Sequence, residues 1–448
     1  MQPSDLARDQ PEQVEDPHDP YAAVRVANFR RYWVGNMLSI LGFQMQGATV
    51  VWEVYSRTND VFAIGLVDLV QVVPVLSLAL FAGHVADRMD RKRVLMSAIG
   101  LALVASLGLA LVSYNQWHIA GVYGCMFLIG IARAFVQPAK SSLLPQLVPR
   151  AIFSNAVAWN LSGFQLASVA GPALGGWALA WFGYAWVVYL LQAASAALFI
   201  TLLTRVERTV VVETHQAATL KSLGEGIQFV WKQKVILGAL ALDMFAVLLG
   251  GATALLPVFA EDILHVGPAG YGWLWSAPAV GALVMSVTLV HRPPMAKAGL
   301  ALLWAVAGFG ASIILFGLST SFALSLFALF LTGAFDCISV VIRHTLVQTL
   351  TPDRMRGRVS AISGMFISAS NELGGFESGT LAKFTSPVFA VIFGGVGTLG
   401  VVAAAAAAIP QLRTFGRLDG KDLRNETVPP SSAAEASEEP TAPLAETS

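Results

Sequence analysis

Long apolar runs alternate with short polar breaks along almost the whole chain. A run of about 20 residues crosses a hydrocarbon core of about 30 Å at 1.5 Å per helical residue. Twelve such runs start near Trp33, Val61, Val94, Trp117, Val157, Tyr184, Val235, Gly270, Gly299, Ser321, Val359 and Pro387. The pattern predicts an all-α integral membrane protein with twelve transmembrane helices. Most connections are short. The longest internal break, from Arg205 to Lys234, splits the runs into two sets of six. Its second half, Leu220 to Trp231, reads as an amphipathic helix lying on the membrane surface. The expected organisation is a disordered cytoplasmic N-terminal segment (1–28) and a six-helix bundle (29–204). A cytoplasmic central loop (205–233), a second bundle (234–413) and a disordered cytoplasmic tail (414–448) follow. The tail is rich in Pro, Glu, Ser, Thr and Ala, a composition that buries too little apolar surface to fold.

Charge placement sets the expected orientation. The 28 Lys and Arg residues fall almost entirely in alternate loops: the N-terminus, 84–93, 139–150, 205–234, 291–297, 343–358 and the tail. The opposite loops hold only Arg57 and Lys383. By the positive-inside rule both termini are cytoplasmic. Composition agrees: the chain is 55% hydrophobic and only 12% charged, about half the charge of a soluble domain. Cys125 and Cys337 lie inside apolar runs and suggest no disulfide framework. The first twenty residues are acidic and carry no apolar signal region, so no cleaved signal segment is expected. Metal-ligand clusters, phosphate-cradling loops and catalytic triads are not evident. The sequence therefore points away from an enzyme, a cofactor and a nucleic-acid partner.

The two sets of six look duplicated. Arg30 and Lys234 precede the first and seventh runs and lie 204 apart. Ala134-Phe135 and Ala334-Phe335 match at an offset of 200, and Gln146-x-x-Pro149 has a counterpart in Gln348-x-x-x-Pro352. These matches predict two six-helix pseudo-repeats.

Between the second and third runs lies Gly83-His84-Val85-Ala86-Asp87-Arg88-Met89-Asp90-Arg91-Lys92-Arg93. Its Gly-x-x-x-Asp-Arg-x-x-Arg-Lys spacing resembles the loop 2–3 signature of the major facilitator superfamily. Further stretches, Trp52 to Thr58, Ala254 to Phe259, Arg356 to Ala361 and Asn371 to Gly374, resemble the branch of enterobactin exporters and transmembrane secretion effectors. The resemblance spans about Phe29 to Arg413. It departs from the pattern at Asp90, where the signature usually has glycine, and in the loop 291–297, which has lost its copy. It implies the major facilitator fold, with spans 1, 4, 7 and 10 around a central cavity and one chain forming a whole pathway.

Three sets of candidate residues follow. In the loop, Gly83, Asp87, Arg88, Arg91 and Lys92 read as a gate. There the resemblance implies that Asp87 contacts the start of span 11, near Arg356 and Arg358, and that the basic residues hold neighbouring acids or headgroups. In span 5, Gly171, Pro172, Gly175 and Gly176 resemble the superfamily's antiporter motif, and small residues there permit close helix packing. Polar groups inside the apolar runs form the third set: Asp68, Gln71, Arg133, Asp243, Asp336 and Glu372. Charges in hydrocarbon are costly and usually face a cavity, so these are candidates for a proton or substrate site. The charges on spans 4, 7 and 10 sit 5 to 8 residues from the span ends, about 8–12 Å deep. An Arg133–Asp336 pair is expected to exchange partners during transport. Glu53 is read as interfacial.

The predicted function is secondary active transport by alternating access, with proton-coupled efflux of a small amphipathic compound such as a siderophore-like metabolite or a drug. The expected setting is the bacterial cytoplasmic membrane, and the expected state a monomer in the lipid bilayer. An importer or uniporter of the same fold is the rival within transport. A non-transporting receptor or assembly partner is the rival from another class.

Overall fold

A computed structural model describes residues 19–207, 220–291 and 297–416. The predicted disordered segment up to residue 18, and the tail beyond 416, lie outside the described residues. The main helices are α1 (Ala27–Thr58), α2 (Val61–Arg88), α3 (Arg91–Tyr114), α4 (Ala120–Leu143), α5 (Phe153–Phe182), α6 (Ala185–Thr204), α7 (Lys234–Leu249), α8 (Gly267–Val290), α9 (Ala298–Leu318), α10 (Phe322–Leu350), α11 (Asp353–Phe384) and α12 (Pro387–Ala408). Each begins within six residues of the start read from the apolar runs. α7 is extended by short turns through Leu256 to Ile263.

Local chemistry sets the boundaries. Asn59 adopts a left-handed φ of 48° and closes α1, and the Asp60 carboxylate accepts from Phe62 N at 3.0 Å to open α2. Asp90, the departure from the loop signature, does the same for α3, accepting from Lys92 N at 3.0 Å. A side-chain cap satisfies an orphan N–H that glycine would leave to water. Gly183, with φ 73°, closes α5.

Nine stretches among the described residues are long and apolar enough to cross a membrane, and the protein is a multi-pass membrane protein. α1, α5 and α11 are the long helices outside that set. They carry the polar and glycine-rich sequence of the molecule, including Glu53, Gln44, Gly171, Asn371 and Glu372.

Helices α1 to α6 pack mostly on one another, as do α7 to α12. Two pairs, α2 with α11 and α5 with α8, make most of the join between the groups. The join is closest near the α1–α2 connection. There Tyr55 donates to Asp262, Tyr271 Oη donates to Ala48 O at 2.8 Å, and Lys383 Nζ meets Asp60 Oδ2 at 3.2 Å. Apolar packing follows the same seam: Trp52 and Tyr271 meet as tilted rings 5.1 Å apart, and Phe62 and Phe376 as tilted rings 5.9 Å apart. Trp52 therefore packs between the groups.

The amphipathic helix forms over Leu220–Lys232. Its Glu225 pairs with Arg358, Gly226 abuts Ile362, and Val230 is buried against Ile236, Val347 and Val359. Ile227 and Trp231 remain exposed on its other side. It is clamped to the start of α11 and leaves an apolar strip available to lipid.

Candidate functional site

Three helices bring four of the predicted polar residues together. Asp68 and Gln71 stand three residues apart on α2, and so share a face. Arg133 reaches them from α4, and Glu372 reaches from α11. Arg133 Nη1 donates to Glu372 Oε1 at 2.8 Å and also to Gln71 Oε1. Its guanidinium lies 5.6 Å from the Phe43 ring centre, within cation–π range. Glycines make the approach possible. A Cβ on Gly130 would fall 2.4 Å from Gln71 O, and one on Gly375 would fall 1.9 Å from Asp68 Oδ2. Gly130 thus lets α4 close on α2 one turn before Arg133. Gly375 opens the notch in α11 that receives the Asp68 carboxylate.

The Arg133–Glu372 bridge spans the two helix groups. Arg133 keeps 37% of its side chain exposed and Glu372 16%. A pair this solvated is worth on the order of 1 kcal/mol at most. It holds the groups together weakly and can be broken.

The second group has its own charges. Asp243 on α7 pairs with Arg343 on α10, with side chains 8% and 3% exposed. Asp336 lies seven residues before Arg343 on the same face of α10, and all three line a cavity of about 240 Å³. Ile367 and Asn371 of α11 close its far side. α11 therefore presents Asn371 to this cavity and the neighbouring Glu372 to Arg133.

The expected Arg133–Asp336 pair is not formed. Each residue lines a different cavity, and Arg133 takes its partners from α2 and α11. Arg133 lies ten residues from the end of α4 and Asp336 fourteen from the end of α10, about 15 and 21 Å along each helix at helical rise. Both helices run on past the expected span ends, through charges read as loop residues. Arg343 and Lys140, both assigned to loops by hydropathy, are helical and line the cavities. The signal was their spacing: each follows an intramembrane charge by seven residues, which keeps both on one helix face.

Lys140 and Arg133 line a larger cavity of about 460 Å³ within the first group. Gln137 and Gln192 supply amides to its wall, and Phe43 and Phe164 supply ring faces. Glu53, near the end of α1, is buried in the protein. It is 5% exposed, accepting from Tyr189 Oη at 2.6 Å and from Arg57 at 3.2 Å.

The span 5 residues form two packing faces. A Cβ on Gly171 or Gly175 would meet α1 at Gln44 or Met45, and one on Gly176 would fall 2.4 Å from Pro268 O of α8. Gly272 of α8 in turn lies against Pro172 O and Gly176 Cα. Backbone-to-backbone contact of this kind needs small residues. The motif thus forms part of the seam between the groups.

The loop 2–3 residues divide. Gly83 and Arg88 belong to the last turns of α2, and Arg91 and Lys92 to the first turn of α3. The Asp87 side chain lies outside the described residues. Lys92 Nζ donates to Val206 O at 2.7 Å and Thr204 O at 3.2 Å, capping the end of α6. It serves its own helix group instead of an acid or a headgroup. Arg358 pairs with Glu225 of the amphipathic helix.

A helical membrane body with two internal cavities, split into helix groups joined by a weak charge bridge, has the architecture of a solute transporter. Over residues 18–436 the sequence matches the transmembrane secretion effector family, and the chain belongs to that family of major facilitator transporters, which are not enzymes. Relatives include the Enterobactin exporter EntS of Shigella boydii and of Escherichia coli O81. Each is 26% identical over 390 residues, covering 86% of this chain and 93% of the relative. The fold is shared with a bacterial homologue of the iron transporter ferroportin in an inward-facing state (TM-score 0.69, 15% identity, 88% of this chain and 99% of that one). It is also shared with a bacterial homologue of the lysosomal transporter Spinster (TM-score 0.67, 13% identity, 89% and 98%).

Proposed function

We propose that the protein is a proton-coupled exporter of a small, siderophore-like amphipathic compound, working by alternating access. The Arg133–Glu372 bridge carries this reading. It joins the helix groups near mid-membrane, is weak enough to break, and contains a carboxylate that a proton would release. With Glu372 ionised, Arg133 holds the groups together; with Glu372 protonated, the charge attraction is lost and the groups are free to rock. Asp68, three residues from Gln71 and against Gly375, is placed to share that proton, and Asp243 with Asp336 forms a second acidic set. A proton crossing a 100 mV potential supplies about 2.3 kcal/mol, enough to reset so weak a bridge. The names of the relatives support export and the siderophore-like substrate class.

On this reading α1, α5 and α11 also cross the membrane, making twelve spans in two pseudo-repeats. Their polar faces turn toward the seam and the cavities, which lowers their hydropathy without exposing charge to lipid. The Lys and Arg bias supports cytoplasmic termini in the bacterial inner membrane. The segment holding Gly83, Asp87, Arg88 and Arg91 is the inner gate. The seam at Tyr55, Asp60, Tyr271 and Lys383 is the closed outer side, and a monomer suffices.

The test is accumulation of siderophores and fluorescent amphipaths by inverted membrane vesicles with an imposed pH gradient. Uptake should collapse with a protonophore, and Arg133→Ala and Glu372→Gln should each abolish gradient-driven uptake without adding to one another. Gradient-independent equilibration would favour a uniporter and sink the coupling.

A further inference from the structure

The two cavities carry opposite excess charge. The second holds Asp243 and Asp336 against one cation, Arg343. The first holds Arg133 and Lys140 with no carboxylate on its wall among the described residues. Arg133 is balanced by Glu372 from across the seam. Lys140 has no hydrogen-bond or ion-pair partner among the described residues. Its ammonium lines the cavity and gives that wall an excess of positive charge. The rest of the lining adds hydrogen-bond donors and ring faces. The amides of Gln137 and Gln192 can donate to oxygen atoms. Phe43 and Phe164 offer flat apolar faces that suit an aromatic body.

We propose that this cavity is the substrate's anion subsite: Lys140 anchors a carboxylate or other oxyanion of an aromatic amphipath whose ring lies between Phe43 and Phe164. Arg133, about 10 Å further along α4 at helical rise, becomes a second donor when Glu372 lets it go. The substrate anion and Glu372 then compete for one guanidinium. The proposal rests on the exporter reading for its purpose, but binding itself can be measured without transport.

The experiment uses the purified full chain and three pyrene probes that differ in charge: 1-pyrenebutyrate, 1-pyrenebutanol and 1-pyrenebutylamine. Energy transfer from tryptophan to pyrene reports equilibrium binding. A charge-assisted contact is worth about tenfold or more in affinity, so the wild type should prefer the butyrate to the alcohol by about that factor. Lys140→Gln should remove that preference and leave the alcohol unchanged, Lys140→Arg should keep it, and Lys140→Glu should turn it toward the amine. Gln137→Glu, which places an acid one turn from both cations, gives an independent check should a Lys140 variant fail to fold; it should weaken the butyrate alone. Indifference to probe charge in the wild type, or an unchanged preference in Lys140→Gln, overturns the proposal. Charge-selective binding without vesicle accumulation would leave the anion subsite standing and defeat export. Export of amphipaths that ignores residue 140 would do the reverse.

Discussion

Replacing Arg343 with methionine tests how the second helix group tolerates its buried charge. The substitution leaves the Asp243 carboxylate, 6% exposed, without its cation. Removing one member of a pair this deeply buried costs about 3–5 kcal/mol, whereas replacing both members by apolar side chains is often nearly neutral. The contrast with the Arg133–Glu372 bridge is one of solvation, since that pair is exposed enough to be worth about 1 kcal/mol at most. Globular domains gain about 2.1 cal/mol/K per residue on unfolding, so a cooperative unit of about 180 residues loses about 8–13 °C of Tm for 3–5 kcal/mol. A thiol-reactive dye on a thermal ramp in detergent reads this directly, because Cys125 and Cys337 are free and partly buried. Arg343→Met should unfold about 10 °C early. Asp243→Leu combined with Arg343→Met should recover most of that loss. The reasoning fails if the single variant melts with the wild type, or if the double variant is as unstable as the single.

Four further outcomes follow from the packing. Gly176→Val should destabilise the protein and block transport, because its Cβ would meet the α8 backbone at Pro268. Gly83→Ala, with open space around its Cβ, should gain or lose less than about 1 kcal/mol on the same thermal ramp. Lys92→Met should cost about 1 kcal/mol through two lost hydrogen bonds to the end of α6, and a gate residue with no capping role would leave the melting curve unmoved. Cysteines placed at Asp60 and Lys383 in a chain lacking the native ones should trap the outer seam when oxidised. Transport should stop and return on reduction; continued transport in the cross-linked protein would contradict closure there.

The helical plan was legible because apolar run length is a strong signal, and each main helix begins close to its expected start. The amphipathic helix at Leu220–Lys232 was legible from its one-sided spacing. Four of the six intramembrane candidates converge on one cluster, since polar groups in hydrocarbon have few places to go. Pairing was not legible. Arg133 chose Glu372, 239 residues away, and nothing local in α4 or α11 encodes that choice. Lys140 and Arg343 were hidden for a different reason. Hydropathy ends a span at a charge, whereas a helix facing a polar cavity carries its charges inside. The heptad spacing from Arg133 to Lys140 and from Asp336 to Arg343 was the available clue. The role of Asp90 as a helix cap explains why that loop tolerates an acid where its family usually has glycine.

The most direct test of the central claim is proton movement driven by substrate. Purified protein in proteoliposomes with an entrapped pH dye would be given an outwardly directed substrate gradient and no imposed pH gradient. The account predicts that protons move opposite to substrate in the wild type and that Glu372→Gln moves none. Substrate flux with no change in internal pH, or a proton flux that survives Glu372→Gln, would contradict it.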